Sequence, residues 1–134
     1  MAVYSETLDT RWADNDIYGH VNNVAYYAFF DSVINRYLIA AGMNIHNDSI
    51  IAFMVASQCR YLKAVAYPEK VRIDLSVAKL GNSSVTYGLA LFNQSGDLAA
   101  EASMTHVFVE RSSSQPTPIP DHLRAALQML NAEC

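Results

Sequence analysis

Cysteine is nearly absent from this chain, with two in 134 residues, at positions 59 and 134. A pair so sparse, one in a strand-like run and one at the last residue, is no disulfide framework, and both read as free thiols. The four histidines are scattered at 20, 46, 106 and 122, with no Cys/His spacing that suggests zinc, so no metal site is expected. Positive charge is scarce as well. Nine Lys and Arg against 13 Asp and Glu leave a net charge of −4, which gives no general attraction to phosphate backbones or anionic membranes. Nucleic acid is therefore not expected as a partner, and a phosphate-bearing ligand must be met locally. No apolar run is long enough to span a bilayer, and the first residues carry neither a basic nor an apolar leader region. The chain reads as cytoplasmic, without membrane insertion.

What is present is apolar. Hydrophobic residues make up 51% of the chain and charged ones 16%, a surplus that can be buried in a core and between subunits. The length allows one domain, 1–134, with a sizeable core and no room for a second. Residues 3–12 alternate loosely and read as a strand, and 13–19 as a loop by their Asp, Asn and Gly content. From Asn23 the period changes. Tyr26, Phe30, Val33, Tyr37 and Ala41, with Tyr27, Ile34 and Leu38 beside them, recur at three and four, which predicts a helix of about five turns. An Asn can cap its start, and Gly42 suits the left-handed position after its end.

Four strand-like runs follow at 50–64, 70–80, 84–93 and 98–110, separated by Tyr67-Pro68, Gly81-Asn82 and Gln94-Ser95-Gly96-Asp97. In the second of these, Val71, Ile73, Leu75 and Val77 alternate with Arg72, Asp74 and Ser76, the pattern of an antiparallel sheet with one buried side. After the breaker segment 112–118, Pro120-Asp121 opens a short helix through Leu130. The expected class is α+β: five antiparallel strands, one long helix and a short terminal one. A sheet with an uncovered face or edge of this composition invites a second copy, so a homodimer or homotetramer is expected.

Chemistry concentrates in Asp14-Asn15-Asp16-Ile17-Tyr18-Gly19-His20-Val21-Asn22-Asn23, where acids, amides and an imidazole run directly into the aromatic start of the helix. This places a carboxylate beside the unpaired N–H groups of a helix N-terminus. The motif, with Tyr26 three residues on and a helix and four strands after it, resembles the hotdog-fold thioesterases of the 4-hydroxybenzoyl-CoA thioesterase type. Its His-Val-Asn-Asn wording is similar to that of long-chain acyl-CoA and plant acyl-ACP thioesterases. The resemblance covers nearly the whole chain and implies a sheet wrapped around the long helix, with sites between subunits. It implies hydrolysis of acyl-CoA thioesters without a cofactor, with Asp16 as general base or nucleophile and a backbone N–H at about Asn23 polarising the carbonyl. Thioester hydrolysis asks for little more, because a thiolate leaves without much help.

Each residue also has a plain structural reading. A loop Asp most often caps a helix or makes an Asx-turn, and Asp14 is kept either as structural or as support behind the site; for Asp16 the surrounding Gly19, His20, Asn22 and Asn23 favour catalysis. His20 either takes part in proton transfer, as implied for the plant-type enzymes, or braces the loop. Asn22 and Asn23 can cap the helix or contact substrate, and capping explains one of them better than two. Tyr26 and Tyr27 belong to the helix core and can also line the acyl group. His106 and His122 read as structural. For the coenzyme A phosphates, relatives of this fold point to the turn around Lys79, Ser83 and Ser84, with Arg60, Lys63 and Arg111 behind it; the plain reading is an ordinary Gly-Asn hairpin with solvated lysines. Tyr67-Pro68-Glu69-Lys70 departs from the Gly-Asp that many relatives carry before the strand. A non-catalytic acyl-CoA or acyl-ACP binding module is the alternative. A hotdog hydratase or dehydratase fits less well, since its motif sets His five residues after Asp with a Pro between, whereas Asp16 and His20 are four apart.

Overall fold

The computed structural model describes residues 3–131, so Cys134 lies outside the described residues. Strand β1 (Tyr4–Asp9) leads through a 3-10 turn (Trp12–Asp14) and a loop into helix α1 (Asn23–Ala40). Strands β2 (Ile50–Tyr61), β3 (Lys70–Leu80), β4 (Ser84–Phe92) and β5 (Leu98–Glu110) follow, and helix α2 (Asp121–Gln128) closes the order. The strands form one antiparallel sheet in the order β1-β3-β4-β5-β2, which leaves β1 and β2 as edges. With α1 seated on its inner face, the sheet has the hotdog arrangement.

Helix α1 starts and stops for local reasons. The Asn22 side chain accepts a hydrogen bond from the Ala25 N–H at 3.0 Å, a cap that stabilises a helix by about 1 kcal/mol. At the other end Gly42 takes φ +110°, a conformation that costs a residue with a Cβ, and the chain turns away. The helix buries Ala25, Tyr26, Phe29, Phe30, Val33, Ile34 and Leu38. Opposite them lie Val71, Ile73, Leu75 and Val77 of β3, all fully buried, with Val85, Tyr87 and Leu91 of β4. The alternation of β3 is thus realised residue by residue. Leu123 and Leu127 of α2 join the same core, and the Tyr37 hydroxyl donates to the Ala126 carbonyl to tie the two helices.

Three strands are shorter than their sequence predicts, β4 only by Asn93, whose N–H turns to the Asp97 carbonyl. β1 ends at Asp9 because the Asp14 carboxylate accepts the Arg11 N–H at 2.7 Å and pulls the following residues into the 3-10 turn. β2 ends at Tyr61, where the N–H groups of both Leu62 and Lys63 turn to the single carbonyl of Ala99. β2 also differs from β3 and β4 in burial. Phe53, Met54 and Val55 remain 41%, 39% and 59% exposed along its free edge, beside a bulge between Met54 and Ala56.

Candidate active site

The loop between the 3-10 turn and α1 is a small hairpin held from behind. Asp14 is buried, and its carboxylate accepts the Arg11 guanidinium at 2.9 Å in addition to the Arg11 N–H. Its main-chain oxygen accepts both the N–H and the side-chain amide of Asn22, at 2.9 and 3.0 Å. Within that frame Asn15 bridges to Val21, the Asp16 N–H donates to the His20 carbonyl, and the Gly19 N–H donates to the Asp16 carbonyl. Gly19 closes the turn at φ +83°. Val21 is anchored to the Val65 carbonyl, and the Asn15 side chain accepts the Tyr67 N–H, so the loop is fastened to the segment that follows β2. The Asp14 carboxylate is thus taken up by Arg11, and its main chain by Asn22.

This framing leaves particular groups unpaired. One carboxylate oxygen of Asp16 accepts the Tyr18 N–H in an Asx-turn; the other has no partner among the described residues, and the side chain is exposed. The imidazole of His20 is exposed and makes no side-chain hydrogen bond among them. Asn22 and Asn23 divide their work: Asn22 is the cap, while Asn23 is the exposed first residue of α1. Because the cap satisfies Ala25, the N–H groups of Asn23 and Val24 are the helix donors left without a partner among the described residues.

Asp16, His20, Asn22, Asn23 and Tyr26 line one cleft of about 470 Å³ together with Tyr61, Leu62, Lys63 and Ala64, from the end of β2 and the segment after it. Tyr26 is buried behind it, and burial holds its phenol above the ordinary range. Its ring meets that of Tyr61 edge to face at 5.0 Å. Tyr61 is a site residue that the sequence reading did not single out. Its signal was its place on the inward face of β2 two residues after Cys59, which only the strand pairing reveals.

Tyr27 does not line this cleft. One helical residue is a rotation of about 100°, and it turns the Tyr27 side chain into a second, largely apolar groove of about 320 Å³ with Val24, Ala28, Asp31, Met54, Ser57 and Met104. The larger hollow of about 570 Å³ lies on the outer sheet face around Ser76, Gly88 and Ser103, and contains none of the motif residues. Arg60 belongs there, paired with Glu101 at 2.8 Å. Lys63 stands at the rim of the Asp16 cleft and pairs with Asp97 at 3.2 Å. Arg111 donates to the carbonyls of Asp48 and Ile45, securing the connection from α1 to β2.

Lys79, Ser83 and Ser84 are not brought to Asp16 within one chain. Ala99, whose carbonyl holds the cleft wall, and Phe108, whose N–H donates to the Ser83 carbonyl, are separated by about 30 Å of β5 at roughly 3.3 Å per residue. No group of three or more His, Cys, Asp or Glu able to hold a metal occurs among the described residues. No described helix is long and apolar enough to cross a membrane.

The chain is 51% identical to the PA5185 protein of Pseudomonas aeruginosa PAO1, whose crystal structure superposes with a TM-score of 0.92 over 96% of this chain and 91% of that one. It is 26% identical over 129 residues to the 1,4-dihydroxy-2-naphthoyl-CoA hydrolase of Thermosynechococcus vestitus, covering 93% of this chain and 87% of that protein. At 14% identity, covering 93% of this chain and 98% of the other, the fold is shared with a mutant 4-hydroxybenzoyl-CoA thioesterase bound to 4-hydroxybenzoyl-CoA, with a TM-score of 0.83. Residues 10–127, from the buried Thr10 through the Asp16 loop to α2, match the model of one family, and the chain belongs to the thioesterase-like superfamily.

Proposed function

We propose that the chain hydrolyses acyl-CoA thioesters to free acid and coenzyme A. The observation that carries this reading is the meeting, in one cleft, of the unpaired carboxylate oxygen of Asp16 with Asn23, whose N–H opens α1 without a partner among the described residues. The thioester carbonyl oxygen sits against the Asn23 N–H, where that donor and the helix dipole favour the negative charge that develops on attack. Asp16 either removes a proton from the attacking water or attacks the carbonyl carbon itself. The tetrahedral intermediate then re-forms its C=O bond, the C–S electron pair leaves on sulfur, and coenzyme A departs. Relatives named for 1,4-dihydroxy-2-naphthoyl-CoA and 4-hydroxybenzoyl-CoA support a coenzyme A thioester as the substrate class.

The test is thiol release across short, long and aromatic acyl-CoA thioesters. Turnover of any of them supports hydrolysis; tight binding of acyl-CoA with no release of thiol would make the chain a binding module instead.

The working unit in this reading is at least a homodimer paired along β2. That strand is a free edge twelve residues long with apolar side chains in solvent, an arrangement that pairs readily with a second copy. A second copy would also be the means of bringing a Lys79 turn towards an Asp16 cleft. A solution mass near the 14.8 kDa of one chain at micromolar concentration would overturn this assembly.

A further inference from the structure

A thioester in the Asp16 cleft has three reacting atoms to place, and the groups described so far attend to two of them. The carbonyl oxygen faces the helix start and the carbonyl carbon faces Asp16, which leaves the sulfur to the part of the lining contributed by the end of β2 and the residues after it. Of the side chains with hydrogens to donate around that cleft, Asn22 is committed to the helix cap, and Lys63 is an exposed ammonium at the rim that pairs with Asp97. Tyr26 is buried, and His20 and Asn23 belong to the loop and helix start that hold Asp16. Tyr61 is the uncharged donor that the end of β2 supplies.

Its surroundings keep it a donor. The ring is held edge to face on Tyr26, at 79° between planes, so the hydroxyl is carried on a supported side chain. Partial burial, with the nearby Cys59 as the second cause, pushes the Tyr61 phenol up to about 12, so it remains a neutral donor at working pH.

We infer that Tyr61 is a catalytic residue of the proposed hydrolysis, donating a hydrogen bond to the thioester sulfur as the C–S bond breaks. The electron pair of that bond goes to sulfur, the phenol keeps its proton, and the departing thiolate is protonated from solvent or by the proton Asp16 has taken from water. This assignment rests on the thioesterase reading, and its signature is dependence on the leaving group. A coenzyme A thiolate is basic and gains from the hydrogen bond, whereas a nitrothiophenolate is a weak base and gains little.

The test compares wild type with Tyr61→Phe on two thioesters of one acyl group, one to coenzyme A and one to 4-nitrothiophenol. The coenzyme A ester should lose about tenfold in kcat with KM little changed, the loss expected for one hydrogen bond to developing charge, while the aryl thioester should lose less than about twofold. Tyr61→Leu, which also removes the ring contact with Tyr26, should depress both substrates. Equal losses on both esters in Tyr61→Phe, or no loss on either, would overturn the role of Tyr61 with hydrolysis still standing. A wild-type protein that released no thiol from any thioester would instead sink the thioesterase reading itself.

Discussion

At one end of the sheet the chain leaves β1 through a polar loop and enters α1, while at the other end β3 turns into β4 through Gly81 and Asn82. Both connections are rich in Asn, Gly and Ser or Asp, and they are finished in opposite ways. At the far turn the carbonyls of Gly81 and Asn82 accept the Arg124 guanidinium at 2.7 and 2.8 Å, and Asn82 also accepts the Ile119 N–H. The Ser83 carbonyl is taken by Phe108. What is left without a hydrogen-bond partner among the described residues is the exposed ammonium of Lys79 and the uncharged side chains of Asn82, Ser83 and Ser84, none of which can serve as a carboxylate base. In the Asp16 loop the main chain is equally well paired, yet one carboxylate oxygen, one imidazole and two helix N–H groups are left without partners among the described residues. Density of polar residues is common to both ends; what separates a candidate site from a turn is which polar groups the fold leaves unsatisfied.

The sharpest way to break that comparison is at the two aspartates of the loop. Asp16→Asn keeps the Asx-turn acceptor but can act neither as base nor as nucleophile, so thiol release should fall by roughly 10²–10⁴ with the urea unfolding midpoint unchanged. Asp14→Ala should do the reverse in proportion. It removes the acceptor of the Arg11 N–H from a buried position and should cost about 2 kcal/mol of stability in the same urea titration, with activity falling only as far as the loop is displaced. An Asp16→Asn protein with most of its turnover would remove the catalytic assignment.

The two ends also differ in their imidazoles. His20 is exposed, whereas His106 on β5 is buried, shares a hydrogen bond of 3.0 Å with the Tyr87 hydroxyl, and has its pKa pushed down to about 4 by burial. A histidine with a lowered folded-state pKa binds fewer protons in the folded than in the unfolded chain between about pH 4 and 6.5. Its contribution to stability is therefore full above about pH 6.5 and is lost as the pH falls towards 4, a total of about 3 kcal/mol. Urea unfolding between pH 7 and 4 should show this slope in the wild type and a flatter one in His106→Gln. An unchanged slope in His106→Gln would remove the assignment.

Legibility follows the range of the interactions involved. Helix α1 was readable because its period, the Asn22 cap and Gly42 all act within a few residues, and β3 because alternation against a helix-covered face is a local pattern. The 3-10 turn at Trp12–Asp14 was not, since it depends on a buried carboxylate reaching back to the Arg11 N–H. Nor was the end of β2, which is set by the Ala99 carbonyl on another strand. For the candidate site, the motif named Asp16, His20 and the helix start, all within one short segment that folds on itself. Tyr61 became visible only once β2 was known to be an edge with Tyr61 on its inward face. The division of Tyr26 and Tyr27 between two hollows, and the separation of Lys79 from Asp16, follow from the helix rotation and the strand order β1-β3-β4-β5-β2.

The smallest expected effect tests whether the two ends ever work together. If Lys79 holds coenzyme A phosphate for a site on a second copy, Lys79→Ala should raise KM for acyl-CoA by about two- to fivefold with kcat little altered, and the difference should shrink in high salt because the charge is exposed. Mixed dimers sharpen the point. In a dimer of one Asp16→Asn chain and one Lys79→Ala chain, a site shared across the interface pairs the intact Asp16 of the second chain with the intact Lys79 of the first. Such dimers should hydrolyse acyl-CoA with the wild-type KM. If each site drew both residues from the same chain, every active site in the mixture would lack Lys79 and the raised KM would persist. The separation of about 30 Å along β5 argues for the first outcome. A raised KM in mixed dimers purified away from both parent dimers would return the Lys79 turn to the plain hairpin that its saturated backbone already describes.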